Sequence, residues 1–380
     1  MKVYLDNSAT TKTDPEVVEA MLPYFTDKYG NASSLHSFGR EARKDLEKAR
    51  EVIAKKINAE PEEIIFTSGG SESDNLAIKG IAYANKDKGN HIITSKIEHH
   101  AVLETCERLE KEGFNVTYVG VDKEGIIGLD ELKKAITDKT ILITIMHANN
   151  EIGTIQPIEE IGKIARENNI YFHSDAVQSL TKVPIDVKKS DIDLMSFSAH
   201  KIHGPKGIGA LYVKKGTKID KQIDGGSHEF KLRAGTENVS GAVGFAKAVE
   251  IAKEEDIKYM SKLRDKLAKG LLKIPDTIYN GSKIKRLCNN ANIIFKFIEG
   301  ESMLLHLDME GIAVSTGSAC SSQSLEPSHV LTAIGLHKAV AHGSIRFSLS
   351  KYNTEEEVDH VLENVPGIVK KLREISPLVK

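Results

Sequence analysis

Lys201 follows the apolar run Leu194-Met195-Ser196-Phe197-Ser198 and precedes the turn Gly204-Pro205-Lys206-Gly207. An amine at the end of a buried strand loses its proton more readily than a solvated one, which suits it to a Schiff base with a carbonyl compound. Taken alone, the same lysine reads as a solvated surface charge, as most lysines are. Tyr171-Phe172-His173-Ser174-Asp175 is an apolar strand ending in a carboxylate, and a buried carboxylate needs a partner. A helix cap, a salt bridge or the protonated ring nitrogen of a bound cofactor would each serve. Phe66-Thr67-Ser68-Gly69-Gly70-Ser71-Glu72-Ser73-Asp74-Asn75-Leu76 passes from a strand through a glycine turn into a helix. Exposed N–H groups at the helix start and serine hydroxyls favour a phosphate there. A plain turn with Ser71 or Ser73 as N-cap fits the same residues. It is not a P-loop, since no Gly-Lys-Ser/Thr follows at the required spacing. His200 and His203 could bind a metal only with ligands that their surroundings do not offer, so none is predicted.

The chain has 3 cysteines, Cys106, Cys288 and Cys320, far apart and without a C-x-x-C pair, which argues against a disulfide framework or a zinc knuckle. Cys106 falls in a helical run. Cys288 adjoins Asn289-Asn290 in a polar turn, where a structural role and an exposed thiol are both open. Cys320 lies among small polar residues, Ala313-Val314-Ser315-Thr316-Gly317-Ser318-Ala319-Cys320-Ser321-Ser322-Gln323-Ser324. This composition predicts an exposed, flexible loop that presents a thiolate to another sulfur. Arg346, in the alternating run Ser344-Ile345-Arg346-Phe347-Ser348, carries a guanidinium fork that matches a carboxylate, of a substrate or of a structural salt bridge.

These side chains need a frame. From about residue 60 to 215, β-branched runs beginning at Ile64, His91, Val116, Ile141, Tyr171 and Leu194 alternate with helical patterns. Strands separated by helices predict an α/β fold with a mostly parallel sheet, whose sites lie at the carboxyl ends of strands. Asp14-Pro15 opens one helix, and Pro157 opens another that stops at Asn168-Asn169. A long charged helical stretch from about Asn238 to Lys273 leads to strands near 292–297 and 344–349. At 380 residues two domains are expected, with a boundary near 255. Lys plus Arg (52) nearly balances Asp plus Glu (54), which excludes a general attraction to nucleic acid or to an anionic membrane surface. The N-terminus lacks a basic region with an apolar run, and no long apolar stretch follows, so the expected location is the cytoplasm.

Together these motifs resemble the cysteine desulfurases of the iron–sulfur-cluster and nitrogen-fixation type, along nearly the whole chain from Tyr4-Leu5-Asp6-Asn7-Ser8-Ala9-Thr10-Thr11 to Ser376-Pro377-Leu378. The resemblance implies the fold-type-I, aspartate-aminotransferase-like architecture of pyridoxal-phosphate enzymes. It places a large cofactor domain at 14–255, and a smaller α+β domain at 1–13 and 256–380 carrying the cysteine loop. It further implies a homodimer with shared sites. Carried over by position, Lys201 holds the cofactor aldehyde and Asp175 pairs with the ring nitrogen. His99 stacks on the ring and assists proton transfer, while Asn150 and Gln178 lie beside the ring hydroxyl. Gly70, Ser71, Ser198 and His200 hold the phosphate, Thr236 reaches the partner subunit's phosphate, and Arg346 with Asn7 takes the substrate carboxylate. Cys320 receives sulfur from L-cysteine as a persulfide, alanine is released, and an iron–sulfur scaffold protein or another acceptor, as in tRNA thiolation, takes the sulfur onward.

The sequence departs from the family at Asp224-Gly225-Gly226-Ser227-His228-Glu229-Phe230, where Ser227 and Phe230 replace a glycine and a basic residue. Loop shape and nearby contacts are what this departure touches. A selenocysteine lyase or a cysteine β-lyase would share Lys201 and Asp175. A scaffold or carrier-binding protein without turnover would not need the intact set of Lys201, Asp175, His99 and Cys320.

Overall fold

The computed structural model describes residues 1–316 and 327–377, so Cys320 and its neighbours lie outside the described residues. The twelve described strands are β1 (Val3–Tyr4), β2 (Ile64–Thr67), β3 (His91–Ser95), β4 (Asn115–Val119), β5 (Thr140–Thr144), β6 (Tyr171–Asp175), β7 (Leu194–Ser198), β8 (Gly209–Val213), β9 (Thr277–Tyr279), β10 (Asn290–Phe295), β11 (Ile312–Ala313) and β12 (Ser344–Ser348). Seven form the central sheet in the order β2-β8-β7-β6-β5-β3-β4. Its pairings are parallel except those of β8, which runs antiparallel to β2 and β7.

The sheet is buried on both faces, and residue parity decides which core each side chain joins. Ile64, Phe66, Ile93, Ile143, Phe172, Met195, Phe197, Ala210 and Tyr212 enter one cluster, with residues of the helices Ser37–Ile57, Ile158–Glu167 and Val239–Glu250. Ile65, Ile92, Leu142, Leu194, Leu211 and Val213 enter the other, with residues of the helices Gly70–Ala84 and His100–Lys111. A separate cluster draws on Val3 and Leu5 and on residues between Leu263 and Leu372. It covers the sheet β12-β10-β9, and β1 pairs with β11 in parallel. No helix among the described residues is long and apolar enough to cross a membrane.

Two sequence expectations are revised. The long helix over 238–273 is two helices, Val239–Glu250 and Glu254–Leu271. The second opens on Lys253, whose backbone N–H donates to Asp256 Oδ2 at 3.2 Å, and its first turn carries Glu254, Glu255 and Asp256. An uninterrupted helix would set that acidic turn at mid-helix, without the N–H groups it satisfies. The segment after Lys201 is likewise a full strand, β8, whose first residue is glycine for a steric reason. A Cβ on Gly209 would stand 2.6 Å from Gly69 Cα and 2.6 Å from Phe197 O. The Asp14 cap and the Asn168–Asn169 stop are as expected: Asp14 Oδ1 accepts from Glu16 N, and Asn169 takes φ 54° beyond Glu167.

Candidate active site

The parallel strands deliver their chemistry at one edge. Asp175 ends β6, Ser198 ends β7 three residues before Lys201, and Thr67 ends β2 just before the Gly69 turn. Glu98 and His99 follow β3, and Asn150 follows β5. All but Thr67 line one cavity of about 320 Å³, together with Gly70, Ser71, Gln178, His200 and Arg346. Asn7 and Thr236 do not line it. Asn7 turns its amide to Ser348 O at 2.9 Å, while Thr236 is exposed in the segment after β8.

Lys201 Nζ donates to Ser8 O at 2.5 Å and Ala9 O at 2.7 Å, so the N-terminal segment orients the amine. Asp175 is buried and accepts from Val177 N at 2.9 Å. Burial pushes its carboxyl up to about 6, against that hydrogen bond and the Lys201 charge. Both unassuming readings of Asp175 therefore hold in part, as it caps a turn and faces a cation. His99 is at once the N-cap of the helix His100–Lys111, accepting from Ala101 N, and a wall of the cavity. Burial and then the Lys201 charge bring it down to about 4, so its imidazole is neutral at physiological pH. His200 is held at about 4 by the same two causes, and its Nδ1 lies 3.1 Å from Thr10 Oγ1.

The helix Gly70–Ala84 begins at Gly69 with no side-chain cap. Ser73, offered above as a cap, instead donates to Gly69 O at 3.1 Å and meets Thr67 Oγ1 at 2.7 Å. The N–H groups of the first turn thus face the cavity beside Ser71, Ser198 and His200, an anion site by geometry. Gly70 is needed for the fit, because a Cβ there would stand 2.7 Å from Val177 Cγ2. Arg346 bonds Asn150 O at 3.1 Å and Asp6 Oδ1 at 2.9 Å, yet its buried Nε has no partner among the described residues. Ser8 Oγ, Asp74 Oδ1 and Gln178 Oε1 are buried on the same wall and equally unpartnered.

An anion cradle, a buried carboxylate, an amine and several unsatisfied polar atoms around one cavity fit pyridoxal phosphate, whose phosphate, ring nitrogen and aldehyde call for such partners. No group of three or more metal-ligating side chains is assembled among the described residues.

Sequence reasoning missed Asp74, Glu98 and Glu151 in this wall. Glu98 accepts from Ser95 Oγ at 2.5 Å and Met146 N at 3.0 Å, and burial pushes it up to about 8. Glu151 accepts from Ser328 Oγ at 2.5 Å and is raised by burial to about 7. The departure at Phe230 also has a physical reading. Glu229, Phe230 and Lys231 take φ of 41°, 54° and 68°, a left-handed run rare outside glycine. Buried Glu229 anchors it through Arg50 at 2.7 and 3.0 Å and Phe66 N at 2.8 Å. The Phe230 ring lies 4.9 Å from the same guanidinium, a contact a lysine or arginine would replace with repulsion.

The family Aminotransferase class-V matches residues 3–361. The chain is 61% identical over 379 residues to the protein named cysteine desulfurase IscS of Methanosarcina thermophila, covering 99% of this chain and 94% of that one. It is 58% identical over 383 residues to the protein of the same name from Clostridium botulinum, covering 99% and 96%. Among solved structures, a NifS-like protein superposes with a TM-score of 0.93 at 44% identity, over 98% of this chain and all (100%) of that one. SspA in complex with cysteine superposes with a TM-score of 0.85 at 40% identity, over 93% and 100%.

Proposed function

We propose, for a chain that belongs to the class-V aminotransferases and within them to the cysteine desulfurases, that it is a pyridoxal-phosphate enzyme taking sulfur from L-cysteine onto Cys320 and releasing alanine. The observation that carries this reading is the convergence of Lys201, Asp175, the uncapped helix start at Gly70 and Arg346 on one cavity. The solved relative that holds cysteine supports the substrate.

Gly70, Ser71, Ser198 and His200 would hold the cofactor phosphate, Asp175 the ring nitrogen, Asn150 and Gln178 the ring hydroxyl, and Lys201 the aldehyde. When bound, the cofactor supplies an electron sink for charge developing at the substrate α-carbon. Arg346 orients the substrate carboxylate, with its unpartnered Nε available for that purpose. The Lys201 amine, steered by Ser8 O and Ala9 O, takes and returns the α-proton. His99, neutral on the cavity wall, would stack on the ring and assist proton transfer. The Cys320 thiolate then attacks the substrate sulfur. An S–S bond forms, the substrate C–S bond breaks, and its electron pair stays on the three-carbon fragment, which gains protons and leaves as alanine. No external oxidant is required. Asn7 would act from behind the site, since its amide fastens β12 at Ser348, two residues from Arg346. With L-cysteine supplied, alanine and protein-bound sulfur should appear in equal amounts in the first turnover, measured by amino-acid analysis and cyanolysis. Bound sulfur without alanine would sink the reading.

We assign residues 14–255 to a cofactor domain and 1–13 with 256–380 to a smaller one, a division supported by their separate buried clusters. A cytoplasmic location fits the free, buried thiols of Cys106 and Cys288. The working form is read as a homodimer, with Thr236 reaching the partner's phosphate and sulfur passing on to an iron–sulfur scaffold or another acceptor. Leu22, Phe25, Tyr29, Leu35 and Phe38 are exposed close together in the chain, and Leu35 is 90% so. Such an apolar run marks an association surface. Leu35→Asp combined with Phe38→Asp should convert the dimer to monomer in analytical ultracentrifugation. A wild-type protein that is monomeric and fully active would overturn the assignment.

A further inference from the structure

Asp74 lies on the helix Gly70–Ala84 at the spacing of Ala77, Ile78 and Ile81, the face packed on the sheet. It is 1% exposed and lines the cavity, and its Oδ1 has no hydrogen-bond partner among the described residues. His173 Nε2 is 3.7 Å away but is engaged with Ser196 Oγ at 2.9 Å, while His173 Nδ1 meets Thr144 Oγ1 at 2.8 Å. Burial holds His173 down to about 3, so it is neutral and offers Asp74 no counter-charge.

Asp74 is one of a cluster of carboxyls. Asp175 on β6 and Glu98 after β3 line the same cavity, and the cations on that wall are Lys201 and Arg346. Arg346 is matched by Asp6. Three ionised carboxylates so close together and so buried would repel one another; burial already holds Glu98 up to about 8, and of the two aspartates the proton stays on the one with the fewer donors. Glu98 has Ser95 Oγ and Met146 N, and Asp175 has Val177 N and the Lys201 charge. Asp74 Oδ1 has none.

We propose that Asp74 is a neutral acid in the working protein, a positioning residue that concentrates the cluster's negative charge on Asp175. Burial and then the Asp175 carboxylate push Asp74 well above the ordinary aspartate range, against a hydrogen bond from Ser196, in agreement with the geometry. A neutral Asp74 keeps the field at the ring nitrogen that of one carboxylate. The purpose of the device rests on reading Asp175 as the ring's partner, but its test does not.

The groups facing Asp74 are Asp175 and His173 from β6 and Glu98 after β3, with His99 and Lys201 on the same wall. In the unfolded chain Asp74 ionises near the ordinary value of about 3.9, whereas the folded chain keeps the proton. Folding then takes up a proton, so wild-type stability falls as pH rises above that value. Asp74→Asn removes this loss. Urea midpoints of wild type and D74N should therefore be closest near pH 4, with D74N increasingly the more stable toward pH 8. A flat difference, or one in which wild type gains with pH, would overturn the proposal. If D74N does not fold, the wild type itself carries the test: with aspartate carboxyls ¹³C-labelled, an infrared band of a protonated acid must persist at neutral pH. A spectrum of carboxylates alone overturns it. In the holoenzyme the pH titration of the visible cofactor band should coincide for wild type and D74N, whereas losing a full charge nearby would move it by about one pH unit or more. Asp175→Asn that leaves the cofactor spectrum unchanged would sink the reading of Asp175 and leave the acid band of Asp74 standing.

Discussion

Lys201→Ala should abolish both the visible absorbance of the lysine-bound cofactor and turnover, leaving less than about a thousandth of the wild-type rate, a barrier increase on the order of 4 kcal/mol. The amine is doubly committed. In the proposed function it would hold the cofactor and also move the α-proton, and residues acting as a unit are not replaced piecemeal. Two other lysines lie close in the chain or the fold. Lys206 stands beyond the Gly204-Pro205 turn and is exposed. Lys182 is half-buried, and desolvation lowers it to about 8, but its Nζ donates to Gln178 O at 3.0 Å and Lys201 O at 3.2 Å. It does not line the active cavity. Removing Lys201 also deletes the cation that favours ionised Asp175, so that carboxyl should titrate higher in the cofactor-free variant. Residual activity above the stated level, with an intact visible band, would assign the aldehyde to another amine.

The parts of this site that were legible in the sequence are those whose residue type breaks the pattern around it. Lys201 and Asp175 are charges terminating apolar strands, and Gly69-Gly70 interrupts a strand-to-helix passage. What escaped were groups whose meaning depends on the fold bringing distant segments together. Asp74 looked like one more polar residue in Ser71-Glu72-Ser73-Asp74-Asn75, although its spacing to Ala77, Ile78 and Ile81 puts it on the apolar stripe, and that was the available signal. Glu98 beside His99 gave no such signal, since only the strand order β5-β3 brings Met146 N to its carboxyl. At the N-terminus the residue on Arg346 is Asp6, with Asn7 turned the other way to Ser348. Asp6 is the last residue before the chain turns over 7–9, where Ala9 N donates to Asp6 O at 3.0 Å, so a one-residue choice decides which side chain reaches the site. The strands were readable because β-branched runs fit a sheet buried on both faces. β8 was not, because it opens on Gly209, which reads as part of a turn until the approach of Gly69 is seen.

Cys320→Ser should leave cofactor binding and the visible spectrum intact while alanine formation from cysteine collapses. Serine differs by one atom, and none of the groups gathered around Lys201 is altered. A hydroxyl, however, is neither ionised near neutral pH nor able to accept sulfur from a thiol substrate. The structure sharpens this expectation through the other two cysteines. Cys106 is fully buried (0% exposed) in the helix His100–Lys111, where burial and then the nearby Glu98 push its thiol far up. Cys288, for which an exposed thiol had been an open reading, is 4% exposed and also raised by burial. A thiol that keeps its proton is neither a nucleophile nor a ready sulfur acceptor. Of the 3 cysteines in the chain, Cys320 is therefore the one proposed to carry the persulfide. With limiting cysteine the wild type should acquire a dithiothreitol-labile mass of one sulfur, about 32 Da, on the peptide that contains Cys320, by the exchange chemistry of persulfides. Alkylation before and after unfolding gives a second measure, because Cys106 and Cys288 should react only once the chain is unfolded. The added sulfur on either of those two peptides, or a C320S protein that makes alanine at the wild-type rate, would refute transfer to Cys320. Free sulfide appearing in step with that alanine would then identify a β-lyase, and full turnover on selenocysteine alone a selenocysteine lyase.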